Sequence, residues 1–336
     1  MAKLDAAVGV LASLVHRAAR RPENTRDDAG VYHGVPLARA FPKPAVPTVK
    51  ITRRRAFGRI ARELLVFESG FEPIEPRFRD RYYAHRDYRP LHTVYARRLR
   101  PPGSEGRPRL VYLHGYMQPE TVVEELGLLA VMAKQLHVEV IHVQVPHHGR
   151  RRLPSSRLSG DLYWTSDMVR SAEALRQTLL DARAVIAWLR AEDSARPIGV
   201  AGISMGGVHS LALACLEPQL DFAFPCIAHM DIAAMTADAP VLGAMRQRMR
   251  EDGWTQESFA RGVGRTAWSQ LELAMPSERV MLFAAERDGF FRPALVRQMW
   301  RRFGEPAIRW YPTSHMGFIP RLPGAFLQMR RFIDAL

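Results

Sequence analysis

Ser204 stands between Gly202 and Gly206 in "IGVAGISMGGVHSLALACLEP", residues 198–218. A serine on a tight turn between strand and helix is held in a sparsely populated backbone conformation, so its neighbours must be small for the chain to fold back. Such a turn lifts the hydroxyl above the sheet edge. It also sets the following N–H groups at the positive end of a helix, where a developing oxyanion is stabilised. Gly-x-Ser-x-Gly is a weak signal by itself, and an incidental serine on a glycine-rich turn is the plain alternative. The flanks strengthen it: Ile198, Val200 and Ile203 read as a strand, and Val208, Leu211, Leu213 and Leu216 give a helical apolar pattern that stops before Pro218.

A serine hydroxyl is a poor nucleophile at neutral pH, so it needs a base within hydrogen-bond reach and a carboxylate to orient that base. Both residue types follow strand-like runs further along. Asp288 ends "VMLFAAERD" and His315 ends "IRWYPTSH". In a parallel sheet the carboxyl ends of the strands share one edge, so residues this distant in sequence can meet there.

The elements that must position them alternate from about residue 90. "HTVYARRL", "RLVYLHG", "VEVIHVQVP", "DFAFPCIAHMDIA", "RVMLFAAERD" and "AIRWYPTSH" read as strands. "TVVEELGLLAVMAKQL", "TSDMVRSAEALRQTLLDARAVIAWLRAE" with a serine cap, "PALVRQMWRRFG" and "GAFLQMRRFIDAL" read as helices. Alternation at this spacing predicts an α/β fold with a mostly parallel central sheet covered by helices on both faces. Residues 233–275 interrupt the pattern and are expected to form a small cap insertion carrying Met235, Met245, Met249, Trp254, Phe259 and Trp268. Residues 1–89 are expected to be a basic extension of helices and proline-rich linker, leaving 90–336 as the main domain. One helix is expected over 4–20, with Leu4, Val8, Leu11 and Val15 on one face. Another is expected over "RRRAFGRIARELLVF", where Phe57, Ile60 and Leu64 oppose Arg54, Arg55, Arg59 and Arg62.

From about residue 90 to its end, the chain resembles the α/β-hydrolase fold superfamily through "HGYMQP", "GISMGG", "ERDGFF" and "SHMGFIP", in that order. Within it, "VPHHGRR", "LYWTSDMVRSAEAL" and "AGISMGGVH" are most similar to the α/β-hydrolase domain-containing protein 18 family. The resemblance implies a serine hydrolase in which Ser204 is the nucleophile, His315 the general base and acid, and Asp288 the orienting carboxylate. It further implies oxyanion donors at the Met205 N–H and, after "YLHG", at the Tyr116 N–H, with Met117 as the fallback. Asp231 is a rival acid, because it follows the strand-like "FAFPCIAHM". His147, His148, Met117 and Trp268 are expected to shape a substrate pocket, His114 to be a hydrogen-bonder behind the oxyanion turn, and His209 to be carried away by its helix. Arg151 is a candidate for binding an anionic group on the substrate.

Composition sets the outer bounds. With 336 residues, 47% hydrophobic and 24% charged, the chain can bury a full core. Two cysteines, Cys215 and Cys226, lie in apolar runs and read as reduced core residues rather than a disulfide framework. The apolar stretch Val8–Val15 has Asp5 before it and His16, Arg17, Arg20 and Arg21 after it, the wrong order for a signal peptide. No run of about 18 apolar residues suggests a membrane span, so a cytoplasmic location is expected. Residues 1–109 hold 23 of the 48 basic side chains and 11 of the 34 acidic ones, a net of +12 within the formal +14. That field suits an anionic membrane surface or an acidic partner, or is simply arginine solvating a surface; no motif favours nucleic acid. No cofactor or metal is called for. The expected partner is a small ester or acyl substrate, with acyl transfer, or a silent module that binds lipid or an acidic partner, as alternatives.

Overall fold

Continuously apolar strands need helices on both faces of their sheet, and the computed structural model, which describes residues 5–10 and 22–336, has this arrangement. The strands are β1 (Lys50–Phe57), β2 (Ile60–Glu68), β3 (Thr93–Arg100), β4 (Arg109–Leu113), β5 (Glu139–Val143), β6 (Ile198–Ile203), β7 (Phe222–Cys226), β8 (Met281–Ala285) and β9 (Ala307–Tyr311). They form one sheet in the order β1-β2-β3-β5-β4-β6-β7-β8-β9. The strands from β4 to β9 run parallel, while β3 pairs antiparallel with β5, β2 with β3 and β1 with β2. Every residue of β4 to β8 is buried.

Two cores flank the sheet. On one face lie α1 (Ala130–Leu136) and the closing helix Leu322–Ile333, packed on Leu110, Tyr112, Phe224 and Phe283. On the other lie α2 (Met168–Glu192), α3 (Met205–Leu216), the helices Ile232–Asp238, Gly243–Glu251 and Gln256–Val263 between β7 and β8, and Pro293–Arg302. Tyr32, Phe71, Phe78, Tyr83 and Leu91 pack with Val169 and Leu180 of α2, so residues 32–91 wrap the same body. Among the described residues no helix is long and apolar enough to cross a membrane.

Three expectations change. The basic helix over 53–67 is instead the hairpin β1–β2, turning at Gly58 (φ 54°) with Phe57 opposite Ile60. β1 and β2, from the segment expected to be an extension, therefore belong to the main sheet. All of β1 is exposed, including Arg53, Arg54 and Arg55, and arginines on an open edge strand discourage pairing with other strands. The cap of α2 is Asp167, whose carboxylate accepts from the Arg170 N–H, rather than Ser166. Of the helix expected over 4–20, residues 5–10 are helical and Val8 packs on the core, while Leu4, Leu11 and Val15 lie outside the described residues.

Candidate active site

Ser204 follows β6 at φ 58° and ψ −119°, a strained geometry that tight packing sustains. A Cβ on Gly202 would stand 2.1 Å from the Gly206 carbonyl oxygen, and one on Gly206 would stand 1.9 Å from that of Leu113. Only glycine fits either place, which is why the serine is flanked as it is. His315 lies beyond β9 and Asp288 beyond β8, so three strand ends bring the three side chains together. His315 Nε2 is 2.9 Å from Ser204 Oγ, and His315 Nδ1 is 2.8 Å from Asp288 Oδ2. The other oxygen of Asp288 accepts the N–H groups of Phe290 and Phe291 at 2.7 and 2.8 Å, leaving Oδ2 for the imidazole. The Phe290 ring stacks on His315 at 4.4 Å and 11°. Phe290 was not anticipated, although "ERDGFF" carried it. Asp231, the rival acid, caps Ile232–Asp238 by accepting from the Ala234 N–H at 2.8 Å.

Met205 opens α3, so its N–H is among the first four of the helix, which lack an intrahelical partner. Across from it, the turn after β4 carries Tyr116. Gly115 donates to Gln118 Oε1 at 3.1 Å, and Met117, at φ 59°, donates to His148 Nε2 at 3.3 Å. The fallback Met117 N–H is thus already engaged.

This architecture matches solved structures of named esterases. Acetyl xylan esterase 1 from Thermoanaerobacterium sp. JW/SL YS485 superposes with a TM-score of 0.58 at 15% identity, over 92% of this chain and 99% of that one. Acetyl xylan esterase from Paenibacillus sp. R4 gives 0.55 at 16% identity, over 92% and 99%. A cold-adapted esterase from an Arctic intertidal metagenomic library gives 0.53 at 14%, over 84% and 98%. At these identities the likeness is one of fold.

The chain is an α/β-hydrolase-fold protein.

The model of the family alpha/beta hydrolase domain containing 18 matches residues 125–252. The Mycobacterium tuberculosis proteins Rv2627c and MT2702 are each 29% identical to the chain over 300 residues, 87% of its length. The chain covers 66% of the length of those relatives.

The remaining predicted residues of this α/β-hydrolase-fold protein divide in two. His148 is buried against the turn after β4: its Nδ1–H donates to the Pro146 carbonyl at 2.8 Å, and its ring meets those of His114, Tyr116 and Tyr163. Burial, with His114 beside it, holds the His148 imidazole well below the usual range. His147 is likewise buried and held down by desolvation, then by Arg170 and Arg151. His114 donates to the Gly115 carbonyl at 2.9 Å and accepts from the Val145 N–H at 3.3 Å, and burial takes it down to about 4. His209 bonds the Tyr163 hydroxyl at 2.8 Å inside the core, where burial takes it down to about 3.

Trp268 and Arg151 lie elsewhere. Trp268 lines an apolar cavity of about 140 Å³ with Tyr32, Met245, Trp254, Phe259 and Trp164. Trp164 connects this cavity to the turn after β4, packing edge-on against the Tyr116 ring at 6.1 Å. Met235 and Met249, expected beside them, are core residues that do not line it. Arg151 is fully buried; its guanidinium donates to Asp181 Oδ2 at 2.7 Å and to the Gln144 and Leu91 carbonyls. An expected substrate anchor is thus a buried core cation, its two terminal nitrogens bonded inside the fold. Cys215 and Cys226 are free and buried.

Proposed function

We propose that the chain is a serine hydrolase that cleaves a carboxylic ester or related acyl bond through an acyl-enzyme on Ser204. The observation that carries the reading is the pair of hydrogen bonds from Ser204 through His315 to Asp288, at 2.9 and 2.8 Å. Ser204 Oγ attacks the carbonyl carbon while His315 Nε2 takes its proton, and Asp288 stabilises the imidazolium through Nδ1–H. The N–H groups of Met205 and Tyr116 receive the oxyanion; a donor of this kind is worth about 10² to 10³ in rate. His315 then gives its proton to the leaving alkoxide. Next it takes one from water, which attacks the acyl carbonyl, and the collapse of the second tetrahedral adduct returns the proton to Ser204 and releases the acid. The esterase names of the superposed structures support this class. The apolar lining of the cavity beside Trp268 makes it the candidate seat of the acyl group.

A panel of p-nitrophenyl esters of increasing chain length tests the reading. Ser204→Ala is expected to lower kcat by about 10⁴-fold or more, and Trp268→Ala to shift the preferred chain length. Hydrolysis undiminished in Ser204→Ala would overturn the mechanism, and an unchanged preference in Trp268→Ala would remove the cavity from it.

A further inference from the structure

A ring is only as well placed as the backbone that carries it. His315 sits outside regular ladders, beyond the end of β9 at Tyr311 and just before a 3-10 turn that begins at Met316. Its loop is tied by a carboxylate 310 positions away in sequence. Asp5 Oδ2 accepts the His315 N–H at 3.0 Å, and Oδ1 accepts both the Met316 N–H and the Ser314 hydroxyl, each at 3.0 Å. The residue is 3% exposed. It also overlies the turn that follows Asp288, since a Cβ on Gly289 would stand 3.5 Å from Asp5 Oδ2. The helical residues 5–10 that present it are seated firmly: Gly9 abuts Pro240 so closely that an added Cβ would stand 2.3 Å from the proline Cβ, and Val8 packs on the core.

We propose that Asp5 is a positioning residue for the base, fixing the histidine loop from its main-chain side while Asp288 fixes the imidazole. This rests on the reading of His315 as the general base. Without Asp5 two N–H groups and a hydroxyl lose their acceptor, and the loop must move to find others. A displacement of about 1 Å at a reacting group costs about 10² in rate.

The test uses the full chain and two variants, Asp5→Ala and Asp5→Asn, with Val10→Ala as a control on the exposed side of the same segment. Hydrolysis of p-nitrophenyl acetate gives kcat and KM, and proton NMR follows the downfield resonance of the His315 Nδ1–H bonded to Asp288. Asp5→Ala is expected to lower kcat about 10²-fold with KM little changed, and to weaken or abolish the resonance. Asp5→Asn should fall between it and the wild type, because an amide keeps the Oδ1 contacts but turns an NH₂ toward the His315 N–H. Val10→Ala should match the wild type. Should Asp5→Ala not fold, Asp5→Asn alone decides, with unchanged kcat and resonance counting against the proposal. Asp5→Ala with wild-type kcat and an unaltered resonance overturns it. If the wild type cleaves no ester, the proposed function fails separately. The resonance then decides: its loss in Asp5→Ala supports positioning, and its survival overturns it.

Discussion

Two stretches rich in chemically capable side chains follow the carboxyl ends of β9 and β5, parallel strands well apart in one sheet, and have opposite fates. In "SHMGF" after β9, His315 has a carboxylate on one ring nitrogen and a hydroxyl on the other. In "HHGRR" after β5, His148 has a carbonyl on one nitrogen and a backbone N–H on the other, and Arg151 pairs with the buried Asp181. Position at the active edge is shared. What differs is whether the imidazole has a carboxylate to stabilise its cation, or is merely desolvated and kept neutral. The second group packs behind the turn that carries Tyr116 and Met117, and the first sets its imidazole between a hydroxyl and a carboxylate.

The contrast breaks most visibly at Asp288. Asp288→Asn is expected to leave the fold intact and lower kcat about 10⁴-fold on any ester the protein cleaves, because the histidine is then held in the wrong tautomer. A loss of tenfold or less would mean that the carboxylate does not define the base.

Arg151→Ala sharpens it from the other side. Removing one partner of a buried ion pair leaves Asp181 uncompensated and costs about 3–5 kcal/mol, so urea unfolding should reveal a large loss of stability. Unchanged stability with a selective loss of activity on anionic esters would return Arg151 to the substrate pocket.

The smallest effect is that of pH on the buried histidines. Burial depresses His114 and His209 to about 4 and about 3, whereas in the unfolded chain each titrates near about 6.5. Between these values the unfolded state binds protons that the native state refuses, so stability falls as pH falls from about 6.5 toward 4. At pH 5 each of the two contributes about 2 kcal/mol to that loss. The Tm should be lower at pH 5 than at pH 7, and His209→Gln should flatten the slope. An equally steep slope in that variant would show that His209 is protonated in the native state.

How much of this the sequence disclosed depended on how local the deciding contact is. The tight turn was legible because Gly202 and Gly206 are needed by their own turn, and the meeting of Ser204, Asp288 and His315 because each lies within four residues of a strand's carboxyl end. The hairpin β1–β2 carries a helix-like pattern, because Phe57, Ile60 and Leu64 also suit helical spacing; the signal against a helix is Gly58, which permits the positive φ of a tight turn. The burial of Arg151 was hidden because Asp181 and Leu91, which absorb its charge and donors, lie 30 and 60 positions away. Asp5 gave no signal of its role at all, since a carboxylate in an amphipathic stretch looks like any solvated residue until the histidine loop is packed against it.

On the proposed mechanism, His315 and Asp288 make Ser204 a nucleophile. Fluorophosphonate treatment of the purified, folded protein, followed by mass spectrometry of its peptides, tests it directly, with Ser204→Ala as control. One phosphonyl adduct is expected, on Ser204, absent from the variant. A folded protein that takes no adduct at Ser204 would contradict it.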